Sequence, residues 1–178
     1  MLRTVQLKAA SSPALSVSGI VLRSGGSDRE VMAALLHDAV EDQGGARTMK
    51  LLRRRFGREV AGIVGEATEP DGPWLARKQH KIDHIAGGNL SADGLRVKLA
   101  DCLHNSGTMT HGARREGDAF WRVFSGKKTG TLWYHDGMSA AFNRATSTTS
   151  GDSGQQLRDL ARRYELQVCR LRGAAAAQ

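Results

Sequence analysis

Apolar residues along this chain return at helical spacing, and no stretch alternates with period two in valine, isoleucine and threonine as a half-buried strand would. Val31, Ala34, Leu35 and Ala39 form one such series, opened by Ser27 or Asp28 as a cap with Glu30 in the first turn and closed by Gly44-Gly45. Met49, Leu52 and Phe56 form the next, ended by Gly57, with a short helix expected over 59–66 and a turn-rich break at Glu69-Pro70-Asp71-Gly72-Pro73. Residues 74–86 are punctuated by Gly87-Gly88-Asn89, and Ser91 is placed to cap a longer helix through Asn105, with Leu95, Leu99, Cys102 and Leu103 on one side. Residues 119–124, 131–142 and 155–172 complete the set, the last with Leu157, Leu160, Ala161, Tyr164 and Val168 inward.

The expectation is therefore an all-α protein, a single helical bundle of about seven to nine helices. Its parts read as a short segment 1–13, a main domain 14–142 that begins with a short helix over 14–22, a Ser/Thr/Gly-rich mobile loop 143–154, a helix 155–172 packed on the same domain and a frayed tail 173–178.

A chain of 178 residues with 40% hydrophobic and 25% charged residues is long enough for a core and too balanced for a disordered segment or a fibre. Its apolar stretches are too short to cross a bilayer, and the stretch 14–22 lacks the length and cleavage site of a signal peptide. Cys102 and Cys169 cannot make a disulfide framework and form no C-x-x-C pair, which points to a reducing, cytoplasmic setting. Twenty-six basic against 18 acidic residues leave a net charge of +8, suited to an anionic partner. The cations are scattered, densest at Arg53, Arg54 and Arg55, and only 5% of residues are aromatic, so a small polyanion is favoured and nucleic acid ranks well behind.

Two strings carry chemistry. In Leu35-Leu36-His37-Asp38-Ala39-Val40-Glu41-Asp42, a continuous helix would put His37 over Glu41 and Asp38 over Asp42, crowding four polar groups at one end of an apolar helix. Burying them without partners is costly, and a divalent ion removes the cost. In Lys98-Leu99-Ala100-Asp101-Cys102-Leu103-His104-Asn105, Asp101 and Asn105 share a face flanked by His104. Either string alone is matched by an ordinary hydrogen-bonded core histidine or a solvated helix face; the pair together argues for a site. Arg96, Lys98, Lys127 and Lys128 are candidates to meet phosphates, with solvated surface lysines the competing reading.

These strings, with Phe56-Gly57-x-Glu59-Val60, Trp74-x-x-Arg77-Lys78 and Gly130-Thr131-Leu132-Trp133-Tyr134, resemble the HD-domain phosphohydrolases, in particular the RelA/SpoT-type guanosine tetraphosphate hydrolases, over roughly residues 15–142. The resemblance implies an α-helical HD domain with a divalent metal, usually Mn²⁺, held by His37, Asp38 and Asp101. It implies that Glu41 and Asp42 position and activate water, that Asn105 contacts the substrate, and that Tyr134 lines the pocket. It also implies a small phosphorylated nucleotide as substrate, hydrolysed in those relatives at a 3′ pyrophosphate.

The chain departs from that pattern at the first metal ligand. The histidine of the family falls on Pro13, which cannot bind a metal, and the preceding basic stretch shrinks to residues 1–12, with Arg3 and Lys8 as remnants. Cys102 stands where relatives carry Arg or Lys. The expected function is an HD-type metal-dependent phosphohydrolase acting on a nucleotide or a (p)ppGpp-like ester, with a weakened metal site. The alternative is a degenerate HD domain serving as a nucleotide-binding or protein-interaction module, and a nucleic-acid-binding helical protein is third.

Overall fold

The computed structural model describes residues 2–69 and 72–177, with side chains from residue 13 onward. Pro70 and Asp71 of the expected break, and the side chains of Arg3 and Lys8, lie outside the described residues. Among those described the chain is helical without strands: α1 (Leu2–Arg23), α2 (Asp28–Leu36), α3 (Ala39–Asp42), α4 (Gly45–Ala67), α5 (Trp74–Ala86), α6 (Ala92–Glu116), a 3₁₀ helix (Gly117–Val123), α7 (Lys127–Ser147) and α8 (Gly151–Ala176). Among the described residues no helix is long and apolar enough to cross a membrane.

The chain forms two compact units. The first comprises residues 1–69 and 91–101, with α1 packed on α2, and both α2 and α3 on α4. Its core includes Val17, Val21, Ala33, Ala34, Leu52, Val64, Val97 and Leu99. At the head of α2 the Glu30 carboxylate accepts from the Ser27 amide (2.6 Å) and hydroxyl (2.8 Å), so the expected start signal works through both residues. Ser91 caps α6 as read, its hydroxyl accepting the Gly94 amide at 3.0 Å. Gly57 (φ 87°, ψ 172°) breaks α4 into two arms where the sequence pattern changes helix. The Met49 methyl consequently packs against Gly65, two positions that a straight helix would hold about 24 Å apart.

The second unit comprises residues 70–90 and 102–178, with α7 packed against α5, α8 and the 3₁₀ helix. Several bounds differ from the sequence reading: α1 runs Leu2–Arg23 where a segment 1–13 and a short helix 14–22 were expected, α6 continues past Asn105 to Glu116, and α7 spans Lys127–Ser147 rather than 131–142. The expected loop 143–154 contracts to residues 148–150, because the Thr148 hydroxyl returns to the Ala145 carbonyl (3.0 Å) and Arg158 takes the Thr149 carbonyl (2.7 Å). The expected frayed tail instead continues α8 to Ala176: Leu171, Ala174 and Ala175 are buried with Ala113 and Trp121. Alanine pays no side-chain entropy to be ordered, so a run of it extends a helix that has a surface to lie on.

Candidate functional site

His37 and Asp38 do not sit within a continuous helix. The α-helical ladder is interrupted at these two residues, between α2 and α3. His37 itself satisfies an end of α2, its Nδ1 lying 2.8 Å from the Ala34 carbonyl. A carbonyl oxygen only accepts, so Nδ1 carries the hydrogen and Nε2 is left to face the other way.

What Nε2 faces is acidic. It lies 3.1 Å from Asp38 Oδ2 and 3.6 Å from Asp101 Oδ1. The atom is buried, and neither carboxylate oxygen is aligned with it as a hydrogen-bond partner. Asp101 reaches this place from α6 and is buried, with its other oxygen, Oδ2, taking the Lys98 ammonium at 2.9 Å. Burial alone would raise the Asp101 carboxyl, but Lys98 and His37 override it and hold the group well below the usual carboxylate range. Burial likewise disfavours a charged imidazole, yet Asp101 and Asp38 prevail and raise the His37 pKa to about 10. Without an ion, the two acids favour the protonated form of the His37 ring.

The remaining candidates divide. Glu41 Oε1 accepts the Glu69 amide at 2.8 Å, linking α3 to the residues after α4, and Asp42 is exposed at the end of α3. Lys98, expected among the substrate contacts, is buried, so a phosphate would compete with Asp101 for its ammonium. Asn105 and Tyr134 belong to the second unit; Asn105 is exposed, and Tyr134 is buried with the Lys78 ammonium 4.7 Å from its ring centroid.

Arg96 is not a free phosphate-seeking cation. Its Nε donates to Glu30 Oε1 at 2.7 Å and its Nη1 to the Ser24 carbonyl, and both side chains of the pair are buried. Lys127 and Lys128 lie at the surface of the second unit, donating to the Arg122 carbonyl and to Asp118, each at 2.8 Å. The partner of Arg96 is 66 residues away, beyond any motif reading; the one local signal was Glu30 in a capping position.

The chemistry of the His37, Asp38 and Asp101 donors, one imidazole nitrogen and two carboxylates, fits a divalent ion of the manganese or zinc kind. Nε2 and the two carboxylate oxygens, 3.1 and 3.6 Å from it, are the donors such an ion would draw together. Among the described residues no three histidine, cysteine or carboxylate side chains close round an ion as the chain stands. Residue 13, within α1, supplies proline and no donor.

Comparison with known proteins finds three likenesses. The HD domain family matches residues 3–84. That stretch holds His37 and Asp38 but ends before Asp101. A protein named Probable GTP pyrophosphokinase from Mycobacterium leprae (strain TN) is 36% identical over 98 residues, 53% of this chain; the chain spans only 12% of that relative's length. The crystal structure of lmo0812 from Listeria monocytogenes EGD-e superposes with a TM-score of 0.72 at 28% identity, covering 87% of this chain and 97% of the other.

Proposed function

We propose that this chain is an HD-type, metal-dependent phosphohydrolase whose substrate is a phosphorylated nucleotide of the (p)ppGpp kind. The observation that carries the reading is the convergence of one imidazole nitrogen and two carboxylates, the buried Nε2 of His37 lying 3.1 Å from Asp38 and 3.6 Å from Asp101. The HD domain match over the His37-Asp38 stretch and the name of the mycobacterial relative support it.

In this reading His37, Asp38 and Asp101 hold the ion, with Mn²⁺ as the assignment. When bound, it would polarise a phosphoryl oxygen and lower the pKa of water. The protein's own contribution is orientation. The Ala34 carbonyl fixes the His37 tautomer, so that Nε2 is the nitrogen available for coordination. Lys98 holds one oxygen of Asp101 and leaves Oδ1 on the His37 side. Glu41, anchored through Oε1 to the Glu69 amide, keeps Oε2 to take a proton from water, with Asp42 beside it. Asn105 and Tyr134 are assigned to the substrate.

Pro13 favours a second reading, a degenerate HD domain that binds a nucleotide without turnover. Disturbing even the groups that orient metal ligands costs about 10- to 100-fold in affinity or activity, so loss of a ligand itself should cost at least as much. Guanosine tetraphosphate hydrolysis measured with Mn²⁺, alongside Mn²⁺ calorimetry, separates the two. Turnover that disappears in Asp101→Asn supports the enzyme. Nucleotide binding without turnover supports the module. Submicromolar Mn²⁺ affinity would refute the weakened site.

A further inference from the structure

A cluster of cations lies away from His37 in the first unit. Lys50, Arg53 and Arg54 stand at i, i+3 and i+4 on the first arm of α4, one helical face, and Arg58 opens the second arm beyond the Gly57 break. With Ala46 and Met49 they line a groove of about 630 Å³. That volume falls within the range of about 300–1,000 Å³ usual for small-ligand sites. No carboxylate is among its described lining residues. None of its four cations pairs with a described carboxylate, and Glu59, next to Arg58 in the chain, is instead 3.5 Å from Arg29. Like charges one turn apart destabilise a helix, so this face carries a repulsion that the rest of the described chain does not offset.

We propose that this groove is a second ligand site, for a soluble oligophosphate. Three guanidinium groups present forks that match phosphoryl oxygens two at a time, and Lys50 adds a point charge. The concavity is built into the fold, since the Gly57 turn and the packing of Met49 on Gly65 fix the angle between the arms. A single nucleic-acid strand would want aromatic platforms, and none lines the groove. No lining residue belongs to the His37, Asp38 and Asp101 cluster, so occupancy here is independent of the proposed hydrolysis.

The probe is inorganic tripolyphosphate, titrated calorimetrically into the full chain with EDTA present, which silences any metal site. Arg53→Gln/Arg54→Gln should weaken binding by about tenfold or more, the scale of losing charge-assisted hydrogen bonds. Arg162→Gln/Arg163→Gln, exposed on α8, should leave it unchanged. Thermal melts show whether both variants fold as the parent does, as substitution of exposed side chains predicts. Equal losses in the two variants would reduce the effect to net charge and overturn the proposal. So would the absence of saturable binding. Duplex DNA binding more tightly than tripolyphosphate, and lost in Arg53→Gln/Arg54→Gln, would reassign the groove to a nucleic-acid backbone and overturn it equally.

Discussion

Removing the Arg96 guanidinium, as in Arg96→Met, tests how α2 is held against α6. The pair is buried on both sides, with 3% of the Arg96 side chain and 5% of the Glu30 side chain exposed. Methionine replaces most of the apolar stem, so the loss is electrostatic. Glu30 would keep its two bonds from Ser27 but no counter-charge, and the Ser24 carbonyl would lose its donor. Breaking a buried pair from one side costs about 3–5 kcal/mol, and the surviving Ser27 bonds place this case near 3. For a domain of this length that is a fall in Tm of roughly 6–12 °C. Urea unfolding followed by circular dichroism gives the free energy. Adding Glu30→Gln removes the stranded charge while keeping an acceptor for Ser27, so the double variant should recover about 1–2 kcal/mol over Arg96→Met alone. If Glu30→Gln instead destabilises Arg96→Met further, the carboxylate was never a buried unpaired charge, and the reasoning fails.

Further expectations concern the site and the hinge. In metal-free protein, a His37 pKa of about 10 against 6.5 when unfolded means that the folded state binds the extra proton. Stability measured by urea should therefore decline from pH 7 towards 10, and His37→Gln should flatten that slope. Mn²⁺ needs the same nitrogen unprotonated, so its apparent affinity should rise by about tenfold per pH unit below pH 9, with about one proton released per ion in calorimetry across buffers of different ionisation enthalpy. Affinity independent of pH would mean that the ion binds elsewhere. Gly57→Ala forces a side chain into φ 87°, ψ 172°, a region nearly closed to residues with a Cβ, and should cost about 1–3 kcal/mol by urea unfolding; an unchanged midpoint would show that the turn relaxes freely.

Helices were legible because their limits are written in local chemistry. Gly57 ended a pattern and does break α4; Ser91 looked like a cap and is one. The misreadings each came from a partner that local pattern cannot supply. The apolar spacing around His37 runs on as though helical, but its imidazole takes the Ala34 carbonyl at the end of α2. The alanines after Gly173 lack polar or charged anchors and looked frayed, yet Trp121 and Ala113 give them a surface. Arg96 and Lys98 looked like cations awaiting phosphate because a net charge of +8 invites that reading; folding places them on Glu30 and Asp101. The same bookkeeping sharpens what is left. Once Arg96 and Lys98 are matched to Glu30 and Asp101, the excess charge belongs to exposed cations, and the α4 groove is where four of them share one concavity with no carboxylate among its described lining residues. Net charge read from a sequence says that an anion is welcome; only the pairing in the fold says where.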